Sequence, residues 1–421
     1  MNQERLLRWQ RGVATLVVTA LLAFAMLLVA VLAHRNVAVE AGASAAQYRS
    51  TQAFEAADAG IGWAIAKLND NTNIGTDCLP DSDASAVSFR AHHLHGGASP
   101  GGWVPTTWDD AGMMRSLQAA CWHTDTGWAC SCPSSGAPVV PRLGGTVSAA
   151  FNVELAAGPR PDLVRIVATA CTSGSSVCPA SAGSANDASS RIETLLALMP
   201  GLRAGPAAAL TAGGDVDSSG APLGIHNEDA ASGGVAVHAG GRVIGTGLRP
   251  TAPAGSALDN SIASADPDLA SADPGTLFAR HFGMDKGAWM AQPAVTRIDC
   301  AAACAREVAA LAARGSQLLA IAGDLSLDGP IALGTAERPV VVMATGTIRI
   351  NGAVALHGFV YASAIDWRGG AGGASIQGAA VAERDFTGSA EGDLAYDAAT
   401  LQRLMRGTGN FVPVSGSWKD F

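Results

Sequence analysis

About 21 uncharged residues, 13–33, run without interruption between Arg11-Gly12 and His34-Arg35. A helix rises ~1.5 Å per residue, so such a run just crosses a hydrocarbon core about 30 Å thick. Helical patterning continues past the run, through residues 47–58 and on to Leu68, now amphipathic. Phe54, Ala57, Ile61, Ile65 and Leu68 recur at spacings of three and four, which lines one helix face and predicts a packing stripe. The chain is therefore expected to open as one long helix, membrane-spanning first and amphipathic second, carrying the remainder as a head. Arg5, Arg8 and Arg11 precede the apolar run and orient the N-terminus towards the cytoplasm. That orientation puts the bulk of the chain on the far side of the inner membrane.

Three uses of such a run compete: a processed pilin-type helix, a plain signal anchor and a cleaved secretory signal. A secretory apolar region is usually ~7–15 residues and ends in a small-residue cleavage site. Here the run is longer, and the small triplet Ala41-Gly42-Ala43 lies well beyond it. The first use fits best.

The segments QRGVATLVV (residues 10–18) and QYRSTQAFEAADAGI (residues 47–61) resemble the N-terminal domain of PilX-type type IV pilus assembly proteins. The ending PVSGSWKDF (residues 413–421) is similar to that of some longer members. The resemblance covers residues 10–68 and fades over the middle of the chain. It implies a minor pilin with a prepilin-like N-terminus: Gly12 would precede the prepilin peptidase cut, and Val13 would become an N-methylated first residue. It also implies other pilins and minor pilins, the peptidase and the inner membrane as partners, with a tip adhesin as a further one. Major pilins carry Glu at the fifth mature position, where this chain has Val17. A carboxylate is kept in lipid only where it finds a partner. Its absence fits a subunit at a filament tip or one present in few copies.

Eight cysteines, 78, 121, 130, 132, 171, 178, 300 and 304, all lie beyond the helix. An even number with close local pairs points to disulfides in an oxidising compartment. Cys171 and Cys178 read as a clamped turn, and Cys300 and Cys304 as a short closed loop, while Cys78, Cys121, Cys130 and Cys132 allow several pairings. A zinc alternative starts from Cys130 and Cys132 with Cys121, His123 and His92, His93 and His95 nearby. Structural zinc sites prefer wider spacing between paired cysteines, so disulfides are favoured.

The fold class expected is α+β: the long helix, then a mainly β head whose C-terminal part is β-helix- or solenoid-like. Four parts follow: a basic leader (1–12), the helix (13–68), a disulfide-containing pilin-like α+β head (69–200) and a Gly-rich domain (207–421). Residues 200–206, bounded by prolines, read as a hinge between the last two. Short alternating strands broken by glycines fill 207–244 and 317–381, and glycines 323 and 329, then 346, 352 and 358, recur every six residues. Short strands with tight glycine corners are what a solenoid requires, the reading favoured over an ordinary sandwich or split sheet, which the irregular repeat leaves open. A helical insertion, about 255–316, separates the two stretches and is expected to cover an end or side of the solenoid, hiding an edge strand.

Charge and chemistry narrow the function. A net charge of −9 and only three lysines, Lys67, Lys286 and Lys419, leave no basic stripe for nucleic acid. GGDVDSSG (213–220) has Asp215, Asp217 and Ser219 at alternate positions of a weak calcium loop, but His226 stands where the bidentate Glu belongs. Asp and Gly also dominate β-turns, the favoured reading. No nucleophile elbow, zinc-protease pair or phosphate loop occurs, so no enzyme and no cofactor is expected. The function expected is that of a minor pilin-like subunit that initiates pilus assembly or forms the filament tip, with its head exposed for surface contact. The alternatives are a stationary membrane-anchored protein that binds a glycan or cell-wall polymer, and a secretion-system pseudopilin.

Overall fold

The computed structural model describes residues 4–83, 86–95, 102–106, 116–124, 127–136, 138, 149–172, 178, 188–220, 222–300, 304–369 and 373–420. One continuous 66-residue helix, α1 (Glu4–Asn69), opens the chain. At ~1.5 Å per residue it is about 100 Å long. Its second half lies on an antiparallel sheet, and that contact sets the packing stripe. Ala53, Ala56, Ala57, Gly60, Ile61, Ala64 and Leu68 are buried there. The stripe is made of small residues because the helix approaches closely: a Cβ on Gly60 would lie 3.0 Å from both Ala168 Cβ and Phe151 Cδ2. The face expected from spacing to meet neighbouring helices is largely used up inside the chain: Ala57, Ile61 and Leu68 are buried on its own sheet and Ile65 is half-buried against the same core. Phe54 differs. It is exposed at the sheet's rim, edge-on to Trp418, because its position points past the sheet rather than into it.

The sheet runs Gly409–Pro413, Ser189–Pro200, Leu163–Cys171, Ala150–Ala157, Leu117–Thr124, Gly127–Cys130, every pairing antiparallel. Its inner face alternates as a half-buried strand should, presenting Phe151, Val153, Leu155, Ile166, Ala168, Ile192 and Leu196 to α1. Each fully buried Leu, Ile or Phe here stabilises the seat by about 1.5–3 kcal/mol. The C-terminal segment belongs to this sheet: Gly409–Pro413 and Lys419–Asp420 both pair with Ser189–Pro200. The Gly-rich domain therefore ends before 409 and not at 421, because hydrogen bonding draws the tail back to the head.

Among the described residues, every strand from Leu210 to Tyr396 belongs to one parallel stack. Paired positions Val295, Leu318, Val341, Phe359 and Ala379 step through successive coils, 23, 23, 18 and 20 residues apart. The next coil in space is Leu210–Ala212, which pairs with Ala380–Ala382, followed by Val237–Ala239 and Ile262–Ala263. The two Gly-rich stretches are thus one solenoid-like body, entered in its middle by the chain. The strand Ile262–Ala263 extends the stack into the segment expected to be the helical insertion. The six-residue glycine spacing is the distance between two corners of one coil. Gly346 sits over Gly323, and Gly352 over Gly329, so small residues stack column by column.

The remaining helices close the stack. Pro267–Ala270, Pro274–Phe282, Lys286–Met290 and Ala398–Gly407 cover one side, where Leu269, Phe278, Phe282, Trp289 and Leu404 pack on Val341, Met343, Phe359 and Tyr361. Ala305–Ala313 plugs an end, with Val308 and Ala312 inside the apolar interior, beyond the edge strand Val295–Asp299. The proline-bounded link 200–206 is pinned, not free: Arg203 and Ala204 amides donate to the His281 carbonyl, and Trp289 Nε1 donates to the Gly201 carbonyl at 2.7 Å. Asn69 Nδ2 donates to the Phe411 carbonyl and its Oδ1 accepts from the Phe411 amide, at 2.9 and 2.7 Å. The end of the long helix is thereby locked to the returning tail.

Candidate functional site

The dominant surface is the N-terminal half of α1. Leu16, Leu21, Phe24, Met26, Leu27 and Val29 are each 63–71% exposed, and none of the most apolar stretch is buried. The helix is long and apolar enough to cross a membrane. An exposed apolar surface of this size marks a site of membrane or protein contact. Gly12 and Val13 lie in α1, and their side chains fall outside the described ones. Val17 is exposed on this apolar surface.

All eight cysteines form disulfides: Cys78–Cys132, Cys121–Cys130, Cys171–Cys178 and Cys300–Cys304. The sequence left the first two pairings open. Strand register decides one, since Cys121 and Cys130 face each other across the hairpin. The Cys78–Cys132 bridge lies against His93, whose Nε2 is 3.6 Å from Cys78 Sγ and 3.9 Å from Cys132 Sγ. His93 and His92 are carried on Phe89–His93, a short helix capped by the Ser88 side chain. Burial pushes the His93 pKa down to about 4, against a smaller upward pull from its hydrogen bond to Thr106. His92 is held at about 3 by burial and by its neighbours His93 and His95.

The calcium-loop residues serve the coil corners instead. Asp215 Oδ1 accepts from the Arg242 amide of the next coil at 2.7 Å, and Asp217 caps the Ser219 amide at 2.9 Å. Asp324 accepts from the Thr347 amide, and Asp385 from the Asp215 amide, in the same manner. A corner Asp that satisfies a backbone N–H of the neighbouring coil recurs along the stack at Asp215, Asp324 and Asp385, whereas Asp217 bonds within its own turn.

Two clusters had no sequence signature because their members are far apart in the chain. Glu383, nearly buried, accepts from Lys286 Nζ at 2.6 Å and from the Tyr361 hydroxyl at 2.9 Å. Burial first, then the Glu383 charge, drives the Tyr361 pKa far above its ordinary value, so the phenol stays a donor. Lys286 also lies over the Phe278 and Tyr361 rings, pinning the covering helices to the stack. The second cluster surrounds a cavity of about 270 Å³ where head and stack meet, lined by Arg90, Arg338, Arg403, Glu337 and Trp103. Arg90 donates to the Gly409 carbonyl at 2.7 Å, and burial lowers its pKa to about 10. Three guanidiniums against one carboxylate leave this junction cationic in an acidic protein.

No protein-family model matches the chain, and no curated protein does. Among solved structures, the chain is similar to the crystal structure of the competence-associated pilin ComZ from Thermus thermophilus. The identity is 12%, the match covers 89% of this chain and 97% of that one, and the TM-score is 0.25.

Proposed function

We propose that this chain is a minor pilin-like component of a type IV pilus, helping to start assembly or forming the filament tip. The observation that carries the reading is α1 itself. Its first half offers an apolar surface that is unburied among the described residues, and its second half is seated on a sheet by close-packed small residues. A subunit built this way can leave lipid for a bundle of like helices without rearranging its head. Burial between helices replaces burial in acyl chains, so the exchange is driven by packing. In this reading Gly12 and Val13 flank the prepilin peptidase cut, the head is periplasmic before assembly, and the chain has no catalytic role. Val17 at the fifth mature position and the large two-part head both suit a terminal position, where no subunit stacks above.

A stationary, membrane-anchored binding protein is the second reading, favoured by the cationic junction, which suits an anionic glycan or cell-wall polymer. The mature N-terminus separates the two. Mass spectrometry of protein from cells with and without prepilin peptidase is expected to find a start at Val13 that depends on the peptidase. An intact Met1 in both strains would sink the pilin reading in favour of the anchor. Immunogold labelling then tests position: signal spaced along the shaft would refute the tip, and co-purification with secretion-system subunits would make the chain a pseudopilin.

A further inference from the structure

Cys78, His93 and Cys132 place two sulfurs and an imidazole nitrogen within 4.8 Å of one another. The ring is oriented for ligation. His93 Nδ1 faces the Thr106 carbonyl oxygen at 3.4 Å, and a carbonyl only accepts, so the ring proton sits on Nδ1. Nε2 therefore carries its lone pair, and it is aimed at the two sulfurs. A carbonyl on the far ring nitrogen is the usual means by which proteins fix the tautomer of a metal-binding histidine. The spacing also fits. With Zn–S at about 2.3 Å and Zn–N at about 2.0–2.1 Å, a tetrahedral zinc site needs N···S edges of about 3.6 Å. The observed edges are 3.6 and 3.9 Å. Only the sulfur–sulfur edge is wrong for a metal, because the two atoms are bonded to each other; once that bond opens, they need to stand about 3.8 Å apart.

We propose that the Cys78–Cys132 bridge and His93 form a two-state site, a disulfide when oxidised and a Cys2His site for a soft or borderline divalent metal such as zinc when reduced. The chemistry balances with a dithiol reductant. Two electrons pass to the bridge, the reductant leaves as its own disulfide, and Cys78 and Cys132 each gain a proton. Metal binding then releases both thiol protons, leaving two thiolates and the neutral imidazole as ligands, with water in the fourth position. Access favours this bridge over the others. Cys78 and Cys132 are both half-buried, whereas Cys121, Cys171, Cys178 and Cys304 are buried. Cys78 also sits in the left-handed region, φ 61°, in a turn closed by its amide on the Gly75 carbonyl, so backbone strain concentrates at the same point. In either state the site ties the 73–81 loop to the hairpin that follows Leu117, so the staple persists when its redox state changes.

The inference does not depend on the assembly reading. Its test uses the full-length chain in detergent, reduced anaerobically, desalted and loaded with zinc. The comparison is with the double variant Cys78→Ser/Cys132→Ser, which removes both sulfurs and keeps the other three disulfides. The parent is expected to retain one more zinc per chain and, with cobalt, to show thiolate charge-transfer and tetrahedral d–d absorption that the variant lacks. His93→Ala is expected to bind zinc at least about 10- to 100-fold more weakly, and to shift the cobalt bands. Peptide mapping of oxidised His93→Ala for the Cys78–Cys132 link controls for folding. Equal zinc content in parent and double variant, or cobalt bands unchanged in His93→Ala, overturns the proposal.

Discussion

Replacing Asn69 by Ala removes both hydrogen bonds that lock the end of α1 to Phe411. The two bonds are 2.9 and 2.7 Å long, and Asn69 and Phe411 are 7% and 0% exposed, so water cannot substitute at once. A buried backbone donor or acceptor left unpaired costs about 1–3 kcal/mol, which for the pair gives about 2–4 kcal/mol after partial relaxation. The penalty falls on one strand, Gly409–Pro413, held also by its ladder to residues 196–200, by Phe411 packing edge-on to Trp103 at 5.1 Å, by Arg90 on the Gly409 carbonyl and by the Asn410 side chain, which accepts from the Ala294 amide. If that strand opens as a unit, its amides exchange roughly 30- to 700-fold faster, at tenfold per 1.4 kcal/mol. Hydrogen exchange read by mass spectrometry on the C-terminal peptide measures this directly. Asn69→Asp provides a chemical control. As a carboxylate it still accepts from the Phe411 amide but repels the Phe411 carbonyl; once protonated it donates to that carbonyl, so acidification should restore protection. An acceleration below about threefold in Asn69→Ala, or no rescue of Asn69→Asp by acid, would show that the lock does not hold the tail.

Non-reducing peptide mapping should recover Cys78–Cys132, Cys121–Cys130, Cys171–Cys178 and Cys300–Cys304, and a Cys130–Cys132 link would contradict the register of the hairpin. Gly358→Ala should destabilise the stack by more than about 2 kcal/mol in urea titrations followed by circular dichroism. The reason is that Gly358 holds φ +154° in register with Val340, and a Cβ there would overlap the Val340 carbonyl oxygen. Burial holds the His281 pKa below its ordinary value, against a smaller raising effect from its bond to the Ala204 carbonyl. The unfolded chain therefore binds a proton that the folded one excludes, and stability falls as pH drops below about 6.5. His281→Phe should flatten thermal melts between pH 7 and 5, and an unchanged pH slope would remove His281 from that role.

Local patterns in the chain made particular elements legible. The apolar run and the three-and-four spacing announced α1 because a helix repeats every 3.6 residues, whatever it packs on. The glycine-punctuated strands announced a solenoid-like body because each corner is a local backbone demand, met again at Gly323, Gly329, Gly346 and Gly352. Periodicity alone could not tell that Ala57, Ile61 and Leu68 meet the chain's own sheet while Phe54 stays exposed at its rim, since the apolar face of a helix says nothing of what it packs on. It also could not join Leu210–Ala212 to Ala380–Ala382, separated by some 170 residues yet adjacent in the ladder.

By itself, then, the sequence determined the long helix with its apolar half, the pairing chemistry of the cysteines and the short, glycine-cornered strands of the second half. Tertiary structure alone decided the order of the coils, the return of 409–420 to the head sheet and the partners of Cys78 and Cys132. It also gathered Arg90, Arg338 and Arg403 around one cavity and set His93 beside two sulfurs. The division has one physical cause. Helix period, corner geometry and thiol chemistry act over a few residues and leave a mark on the chain, whereas a hydrogen-bonded ladder or a charge cluster joins groups whose separation in sequence carries no information about their distance in space.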